Sequence, residues 1–142
     1  MHTLFVYGTL QHPPLLAHLI GRVPPLRPAE LAGHRAAPIA GRVYPGLLVD
    51  PAATARGKVV DVDERELEIL DAFEGPLYDR VDVVVSTDAG DLPAQAWLLS
   101  AAASGSAAAG DWSFERFVLS DAGEFLGRST PGDAHPGSDI TA

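Results

Sequence analysis

The chain has no cysteine, and this absence excludes several kinds of chemistry. It cannot form disulfide bonds, use a thiol as a nucleophile or bind a metal through thiolates. Because a chain without disulfides is typical of a reducing compartment, we expect a cytoplasmic protein.

Long hydrophobic runs are also missing. No apolar stretch approaches the roughly 20 residues that a helix needs to cross a bilayer. The first ten residues, MHTLFVYGTL, enter a strand-like apolar run at once and lack the basic region and cleavage site of a secretion signal. We therefore expect neither export nor contact with a membrane.

Positive charge is scarce: 10 lysines and arginines stand against 19 aspartates and glutamates, and the formal net charge is -9. An acidic chain repels phosphate backbones, and no Lys/Arg-rich run offsets this repulsion. We therefore do not expect a nucleic acid as a partner. The same charge argues, more weakly, against a strongly anionic substrate.

The common motifs of metal, nucleotide and serine-nucleophile sites do not occur in the sequence. There is no GxxxxGK[ST] phosphate loop, no GxGxxG after a strand and no GxSxG elbow. The histidines lack a metal-ligand spacing such as HExxH; they are His2, His12, His18, His34 and His135. We expect neither a metal nor any other cofactor.

The 142 residues are enough for one folded domain. With 46% hydrophobic and 20% charged residues, the composition is typical of a soluble globular protein. From Arg128 onward the chain has almost no apolar content. We predict a single domain over residues 1–127 and a disordered tail over 128–142.

The clearest elements are strands bounded by turn residues. Residues 3–7 and 56–63 read as strands, and residues 78–87 and 92–100 read as a hairpin joined by the turn DAGD. Residues 13–20 read as a short helix that begins at two prolines and ends at Gly21.

Other stretches are less regular. Residues 23–46 are rich in Pro, Gly and Ala, so we expect short irregular strands and turns there, and residues 44–51 read as a Pro-Gly turn before a short apolar run. Residues 101–110 read as a surface loop. Two aromatic-bearing segments follow within residues 111–127 and would cover the end of the sheet. This order predicts an α+β fold with a curved sheet or a small barrel.

The helix after Val62 contains an unusual glutamate. Asp63 and Glu66 form an N-terminal capping pattern, so the helix begins near Glu64. Its apolar face consists of Leu67, Leu70 and Phe73. Glu74 follows Leu70 by four residues, the spacing of neighbours on one helix face. Glu74 therefore projects with the apolar stripe.

Two interpretations of Glu74 remain open at this point. In the first, the helix ends at Ala72 or Phe73, and Gly75 and Pro76 turn the glutamate into solvent. In the second, Glu74 lies at the rim of an apolar cavity, where loss of water raises the pKa of a carboxyl group. Such a group can accept a proton and later return it.

A second candidate is the turn VYGTL, residues 6–10, where a strand ends just before a short helix. A glycine at that point lets the backbone approach a ligand closely, and free amides of the turn can bind a carboxylate or an oxyanion. Thr9 adds a hydroxyl group.

The aromatic residues give weaker signals. Trp97 and Trp112 are most simply packing residues of the core or its rim. Tyr78 and Arg80 share one face of a strand, where they are either solvated or line the same cavity as Glu74.

Six short motifs occur in one order along residues 3–112: VYGTL (6–10), YPGL (44–47), LDAFEG (70–75), YDRV (78–81), Ala96-Trp97 and GDW (110–112). Together they resemble the γ-glutamyl cyclotransferase-like family, which includes the γ-glutamylamine cyclotransferases and the plant AIG2-like proteins. One departure is visible, since Leu98 and Leu99 stand where many relatives carry a tyrosine.

The resemblance implies a small mixed β-barrel flanked by helices and a reaction, the cyclisation of a γ-glutamyl amide to 5-oxoproline with release of the amine. It also implies that Glu74 is the acid/base residue. The substrate-binding turn would be Tyr7, Gly8, Thr9 and Leu10, and Tyr78 would orient the substrate or line its pocket.

Two further hypotheses belong to other classes. The same cavity could serve a non-catalytic module that binds a small carboxylate. Alternatively, the chain could be an interaction domain whose partner contacts the region of Trp97 and Trp112. The sequence gives no signature of an oligomeric state.

Overall fold

Five strands and three α-helices form the fold of residues 1–42 and 44–120, the residues that the computed structural model describes. The strands are β1 (His2–Val6), β2 (Arg27–Pro38), β3 (Pro45–Val62), β4 (Tyr78–Thr87) and β5 (Gly90–Leu99). The helices are α1 (Pro13–Ile20), α2 (Glu64–Glu74) and α3 (Phe114–Ser120). Short 3-10 turns occupy Thr9–Gln11 and Ser104–Ser106.

The strands close into a barrel in the order β1-β3-β2-β4-β5. Antiparallel ladders join β1 to β3, β3 to β2, β2 to β4 and β4 to β5. Parallel contacts between β5 and both β1 (Gln95 with Leu4) and β3 (Leu98 with Leu47) close the ring. The prediction of an α+β fold with a small mixed barrel and flanking helices is confirmed.

Two hydrophobic cores lie on the two faces of this sheet, because successive side chains of a strand point to opposite sides. The first core fills the barrel with residues drawn from the strands, including Phe5, Val59 and several alanines such as Ala94 and Ala96. Small side chains suit a barrel this narrow. The second core packs α1 and α2 against the outer face, through residues such as Leu4, Val60, Leu16 and Leu70.

The irregular structure predicted for residues 23–46 is wrong, since β2 runs through twelve of them. The Pro-Gly turn predicted within residues 44–51 is also wrong, because β3 begins at Pro45 and runs continuously over 18 residues, through most of the strand predicted over 56–63. A β-bulge in the pairing of β2 with β3 interrupts the alternation of apolar and polar residues that would have predicted one long strand. Four residues of β3, 50–53, lie opposite the single residue Gly33, whose φ is +75°. The tertiary pairing of β2 with β3 overrides the weak strand propensity of Pro, Gly and Ala.

The loop of residues 101–112 covers an edge of β2. The N–H groups of Ala40 and Trp112 donate to the carbonyl oxygens of Ser106 and Ala36, over 3.0 and 2.9 Å. The N–H group of Ala108 donates to the carbonyl oxygen of Pro38 over 2.7 Å. Most of the loop is exposed, as predicted.

The helices begin and end close to the predicted positions. α1 starts at two prolines and is closed by Gly21 in the left-handed conformation. α3 packs Phe117 edge-on against the ring of His12, at a centroid distance of 6.0 Å.

The second aromatic segment, the tail predicted over 128–142 and the end of the predicted domain lie outside the described residues. None of the described helices is long and apolar enough to span a membrane.

Candidate functional site

The end of α2 fixes the position of Glu74. At the start of the helix, the Asp63 side chain accepts from the N–H of Glu66, and the Glu66 side chain accepts from the N–H of Asp63, so both halves of the predicted capping box are present. At its end, the N–H of Gly75 donates to the carbonyl of Asp71 over 3.1 Å. The helix therefore includes Glu74, and the alternative in which it ends earlier is wrong.

The Glu74 side chain is only 6% exposed. Within the described residues, its carboxyl group makes no hydrogen bond and no ion pair. Burial raises the pKa of Glu74 well above its usual range, and the negative charge of Asp71, one turn earlier on α2, raises it further. A buried carboxyl group without a protein partner is costly, and such groups cluster at functional sites.

The turn after β1 meets Glu74 at a small cavity. Residues 6–10 line this cavity together with Pro45, Glu74 and Trp97. Its volume is about 10 Å³, the space of about one water molecule. The predicted turn residues Tyr7, Gly8, Thr9 and Leu10 are thus all brought against Glu74, although α2 lies more than fifty residues further along the chain.

The Tyr7 hydroxyl group forms one fixed wall. It donates a 2.7 Å hydrogen bond to the carbonyl oxygen of Trp97. Burial, followed by the charge of Glu74, raises the pKa of Tyr7 well above its usual range. The phenol therefore stays protonated and keeps its donor directed at β5.

The Thr9 hydroxyl group is a second polar group of this cavity without a partner. Thr9 is buried, and its Oγ1 atom has no hydrogen-bond partner among the described residues. Leaving a buried hydroxyl unpaired costs about 1–3 kcal/mol, a cost that a ligand group can relieve.

Gly8 is needed because Pro45 lies directly against it. A Cβ atom at position 8 would stand 2.7 Å from Cγ and 2.9 Å from Cδ of Pro45, well inside van der Waals contact. Pro45 lines the cavity next to the turn, and only a residue without a side chain fits against it at position 8.

Tyr78 does not line the cavity. Its buried hydroxyl group donates a 2.6 Å hydrogen bond to the carbonyl oxygen of Pro45. Tyr78 therefore holds Pro45, which does line the cavity, in position. Arg80, the other residue considered on this strand, is exposed and donates to Asp71 over 3.0 Å. Of the two, Tyr78 is the one that supports the cavity.

Sequence reasoning missed three contributors to the site. Pro45 belongs to the motif YPGL, but nothing in that motif indicated contact with Gly8. The sequence indicates for Trp97 a packing role or contact with a partner, yet Trp97 lines the cavity and its carbonyl oxygen accepts a hydrogen bond from Tyr7. Asp71 accepts from the Trp97 indole Nε1 over 2.8 Å. Its position one turn before Glu74 was the one available signal.

Two other expectations concern metals and surface partners. Within residues 1–42 and 44–120, no group of three or more His, Cys, Asp or Glu side chains could hold a metal ion. Trp97 is 2% exposed, so a protein partner could not reach it without rearrangement of the core. Trp112 is half-buried.

The sequence matches a family model. The model described as Gamma-glutamyl cyclotransferase, AIG2-like matches residues 4–114. The AIG2-like protein C of Arabidopsis thaliana is 42% identical over 85 residues, which are 59% of this chain and 49% of that protein. The chain thus spans about half the length of this curated relative.

Solved structures have the same fold. The solution structure of a protein from Arabidopsis thaliana superposes with a TM-score of 0.69 at 29% identity, covering 89% of this chain and 86% of the other. A structure of a γ-glutamyl cyclotransferase superposes with a TM-score of 0.60 at 17% identity, covering 70% and 66% of the two chains. The second likeness concerns the fold alone.

Proposed function

Because the chain belongs to the γ-glutamyl cyclotransferase, AIG2-like family, we propose that it converts a γ-glutamyl amide to 5-oxoproline and releases the amine, with Glu74 as the general base and acid. One observation carries this proposal. The carboxyl group of Glu74 and the hydroxyl group of Thr9 are both buried, have no partner among the described residues and line the same cavity. No cofactor is part of the proposal.

The reaction needs little from the protein besides positioning and proton transfer. The nucleophile is the α-amino group of the substrate, which lies in the same molecule as the γ-carbonyl carbon that it attacks. Fixing the substrate in a folded conformer supplies much of the rate advantage of an intramolecular reaction. No serine or cysteine nucleophile is required.

Glu74 would move the protons. The α-ammonium group of the substrate is a cation beside Glu74, and it favours the charged form of a carboxyl group whose pKa is otherwise raised. As carboxylate, Glu74 takes one proton from the ammonium group, and the free amine attacks the carbonyl carbon. The new C–N bond forms and the old one breaks as two protons in all pass to the leaving nitrogen. Such acid–base catalysis contributes about 10²–10⁴-fold in rate.

The turn after β1 would hold the substrate's oxygens. The Thr9 hydroxyl and the amides of Gly8, Thr9 and Leu10 are donors for the α-carboxylate and for the developing oxyanion. Tyr7 would line the glutamyl site. Tyr78 would act indirectly, because its hydroxyl group holds Pro45.

Entry of the substrate requires a rearrangement. A cavity of about 10 Å³ holds a water molecule and not a glutamyl group. Pro45 lines the cavity and lies against Gly8. In this proposal Pro45 withdraws when the substrate binds, and its hydrogen bond with Tyr78 sets the position to which it returns.

The test is an assay of 5-oxoproline formation with a panel of γ-glutamylamines and γ-glutamyl dipeptides. Glu74→Gln keeps the shape of the side chain and removes its proton transfer, so we expect a loss of about 10²-fold or more in kcat. Glu68→Gln, an exposed position on the same helix, is the matched control and should retain full activity. A folded Glu74→Gln variant as active as the parent would refute this mechanism. If no substrate is turned over but a substrate raises the Tm, the chain is a binding module instead.

A further inference from the structure

Lys58 is the single lysine of the chain, since the other nine of its ten lysine and arginine residues are arginines. It lies on β3, opposite Val6 of β1 and Pro28 of β2. Its side chain is half-buried, and burial lowers the pKa of its ammonium group. Lys58 does not line the Glu74 cavity. A partly desolvated ammonium group is costly unless its contacts offset the loss of water, so its contacts indicate what it does.

The ammonium group of Lys58 contacts the turn that follows β1. Its Nζ atom donates a 3.0 Å hydrogen bond to Oε1 of Gln11, a residue that is only 5% exposed. Gln11 is the last residue of a 3-10 turn. The first two residues of that turn, Thr9 and Leu10, line the Glu74 cavity. Lys58 is therefore bonded to the same turn that the proposed function assigns to the substrate.

Helix α3 contacts the same ammonium group. The Nζ atom of Lys58 lies 5.1 Å from the centroid of the Phe114 ring, close enough for a cation–π interaction. The rings of Phe114 and Phe117 contact the ring of His12 at centroid distances of 6.4 and 6.0 Å. His12 directly follows Gln11 in the chain, so α3 packs against the end of the turn as well as against Lys58.

No carboxylate of residues 1–42 and 44–120 pairs with Lys58, although acidic residues outnumber basic ones in the chain. Its two partners are a neutral amide and a neutral ring. Burial lowers the pKa of His12, so the imidazole beside α3 is neutral near pH 7 and adds no charge. The positive charge of Lys58 therefore lies next to the turn without a counter-charge, and it favours an anionic group bound there.

We propose that Lys58 is a positioning residue for the substrate-binding turn. Its ammonium group fixes the Gln11 side chain, and with it the conformation in which Thr9 and Leu10 line the cavity with Glu74. Its charge also favours the α-carboxylate of the substrate at this turn. The inference rests on the proposed cyclotransferase function. It gives Lys58 and the Phe114 ring of α3 a part in substrate binding, although neither residue lines the cavity.

The experiment compares Lys58→Met with Lys58→Arg on the most rapidly converted compound of the γ-glutamylamine and γ-glutamyl dipeptide panel. Methionine keeps an unbranched apolar side chain but removes the charge and the donor, so we expect KM to rise about three- to tenfold. The α-carboxylate carries the same charge before and during the reaction, so kcat should change less than KM. Arginine keeps a cation and a donor and should restore most of the affinity. Arg65→Met, an exposed position on α2, controls for the loss of one positive charge.

A second variant tests the path through Gln11. Gln11→Met removes the acceptor and keeps a side chain of similar length, so KM should rise in this variant too. If both residues act through one hydrogen bond, the variant that combines Gln11→Met with Lys58→Met should have no higher KM than the more affected single variant. Effects on KM that multiply in the double variant would overturn the path through Gln11.

Amide hydrogen exchange reports on the turn without any substrate. The N–H groups of Gln11 and His12 donate to the carbonyl oxygens of Gly8 and Thr9 over 3.1 and 3.0 Å, and their exchange rates measure how often the turn opens. We expect exchange of both to be faster by about three- to tenfold in Lys58→Met and to return to parental rates in Lys58→Arg.

The possible results separate the two proposals. An unchanged KM in Lys58→Met would overturn the role of Lys58 in substrate binding, and a lower Tm alone would then mark its contacts as structural. If no compound of the panel yields 5-oxoproline, the proposed function fails. Hydrogen exchange then decides about Lys58 by itself, since faster exchange in Lys58→Met supports the positioning of the turn and unchanged exchange overturns it.

Discussion

The carboxylate of Asp71 accepts a hydrogen bond from the indole Nε1 of Trp97 over 2.8 Å. The same oxygen accepts from Arg80 over 3.0 Å. Asp71 stands one turn before Glu74 on α2, and Trp97 accepts the Tyr7 hydroxyl group through its carbonyl. The half-buried carboxylate of Asp71 therefore connects α2, which carries Glu74, to β5, which carries Trp97 on the wall of the cavity.

We predict that Asp71→Asn shifts the pH dependence of catalysis. Asparagine keeps an oxygen that can accept from Trp97 but loses the negative charge that raises the pKa of Glu74. The acidic limb of the kcat/KM profile should therefore move to lower pH, while the Tm changes little. Asp79→Asn, an exposed aspartate on β4, serves as the control. An unchanged acidic limb would show that Asp71 has only a structural role.

The raised pKa of Glu74 also predicts how stability changes with pH. Above the ordinary pKa of a carboxyl group, the unfolded chain loses this proton while the folded chain still holds it. The free energy of unfolding should therefore fall as pH rises through this window. The fall is about 1.4 kcal/mol for each pH unit over which the folded chain holds one proton more than the unfolded chain. Glu74→Gln mimics the protonated form and should be more stable than the parent near neutral pH, with no difference near about pH 4. Denaturant unfolding at several pH values measures this, and a constant difference would contradict it.

Replacement of Thr9 by valine should separate stability from function. Valine has nearly the same shape but no hydroxyl group, so it removes the unpaired Oγ1 atom from the cavity. We expect a gain of about 1–3 kcal/mol in the free energy of unfolding and a loss of substrate affinity. Thr9→Ser, which keeps the hydroxyl group, should retain affinity. A valine variant that binds and reacts normally would show that the hydroxyl group does not contact the substrate.

Three glycines should respond differently to alanine. In Gly57→Ala, the new Cβ would lie 2.3 Å from the backbone carbonyl oxygen of Val6, which cannot move aside, so we expect a loss of about 1–3 kcal/mol or more. In Gly8→Ala, it would meet the ring of Pro45, so activity should suffer more than stability. Gly105→Ala meets no atom within 4 Å and is the control. Thermal unfolding and 5-oxoproline assays on the three variants test this order.

Several features of this protein were determined by the sequence itself. The capping pattern of Asp63 and Glu66, the apolar stripe of α2 and the resulting direction of Glu74 follow from local rules with a period of 3.6 residues. The β4–β5 hairpin and α1 follow from equally local turn and proline signals. Each depends on residues within one or two turns of each other, and the ordered motifs then identified the family and its fold.

Only the tertiary structure decided whether Glu74 is buried and what surrounds it. Its neighbours come from distant parts of the chain, since Tyr7 follows β1, Pro45 begins β3 and Trp97 lies in β5. The Tyr7–Trp97 hydrogen bond joins residues 90 positions apart. The continuity of β2 and β3 likewise came from pairing that no local pattern contained. Periodicity reports which face of an element is apolar, but closure of the barrel sets which faces meet, and that depends on contacts distant in sequence.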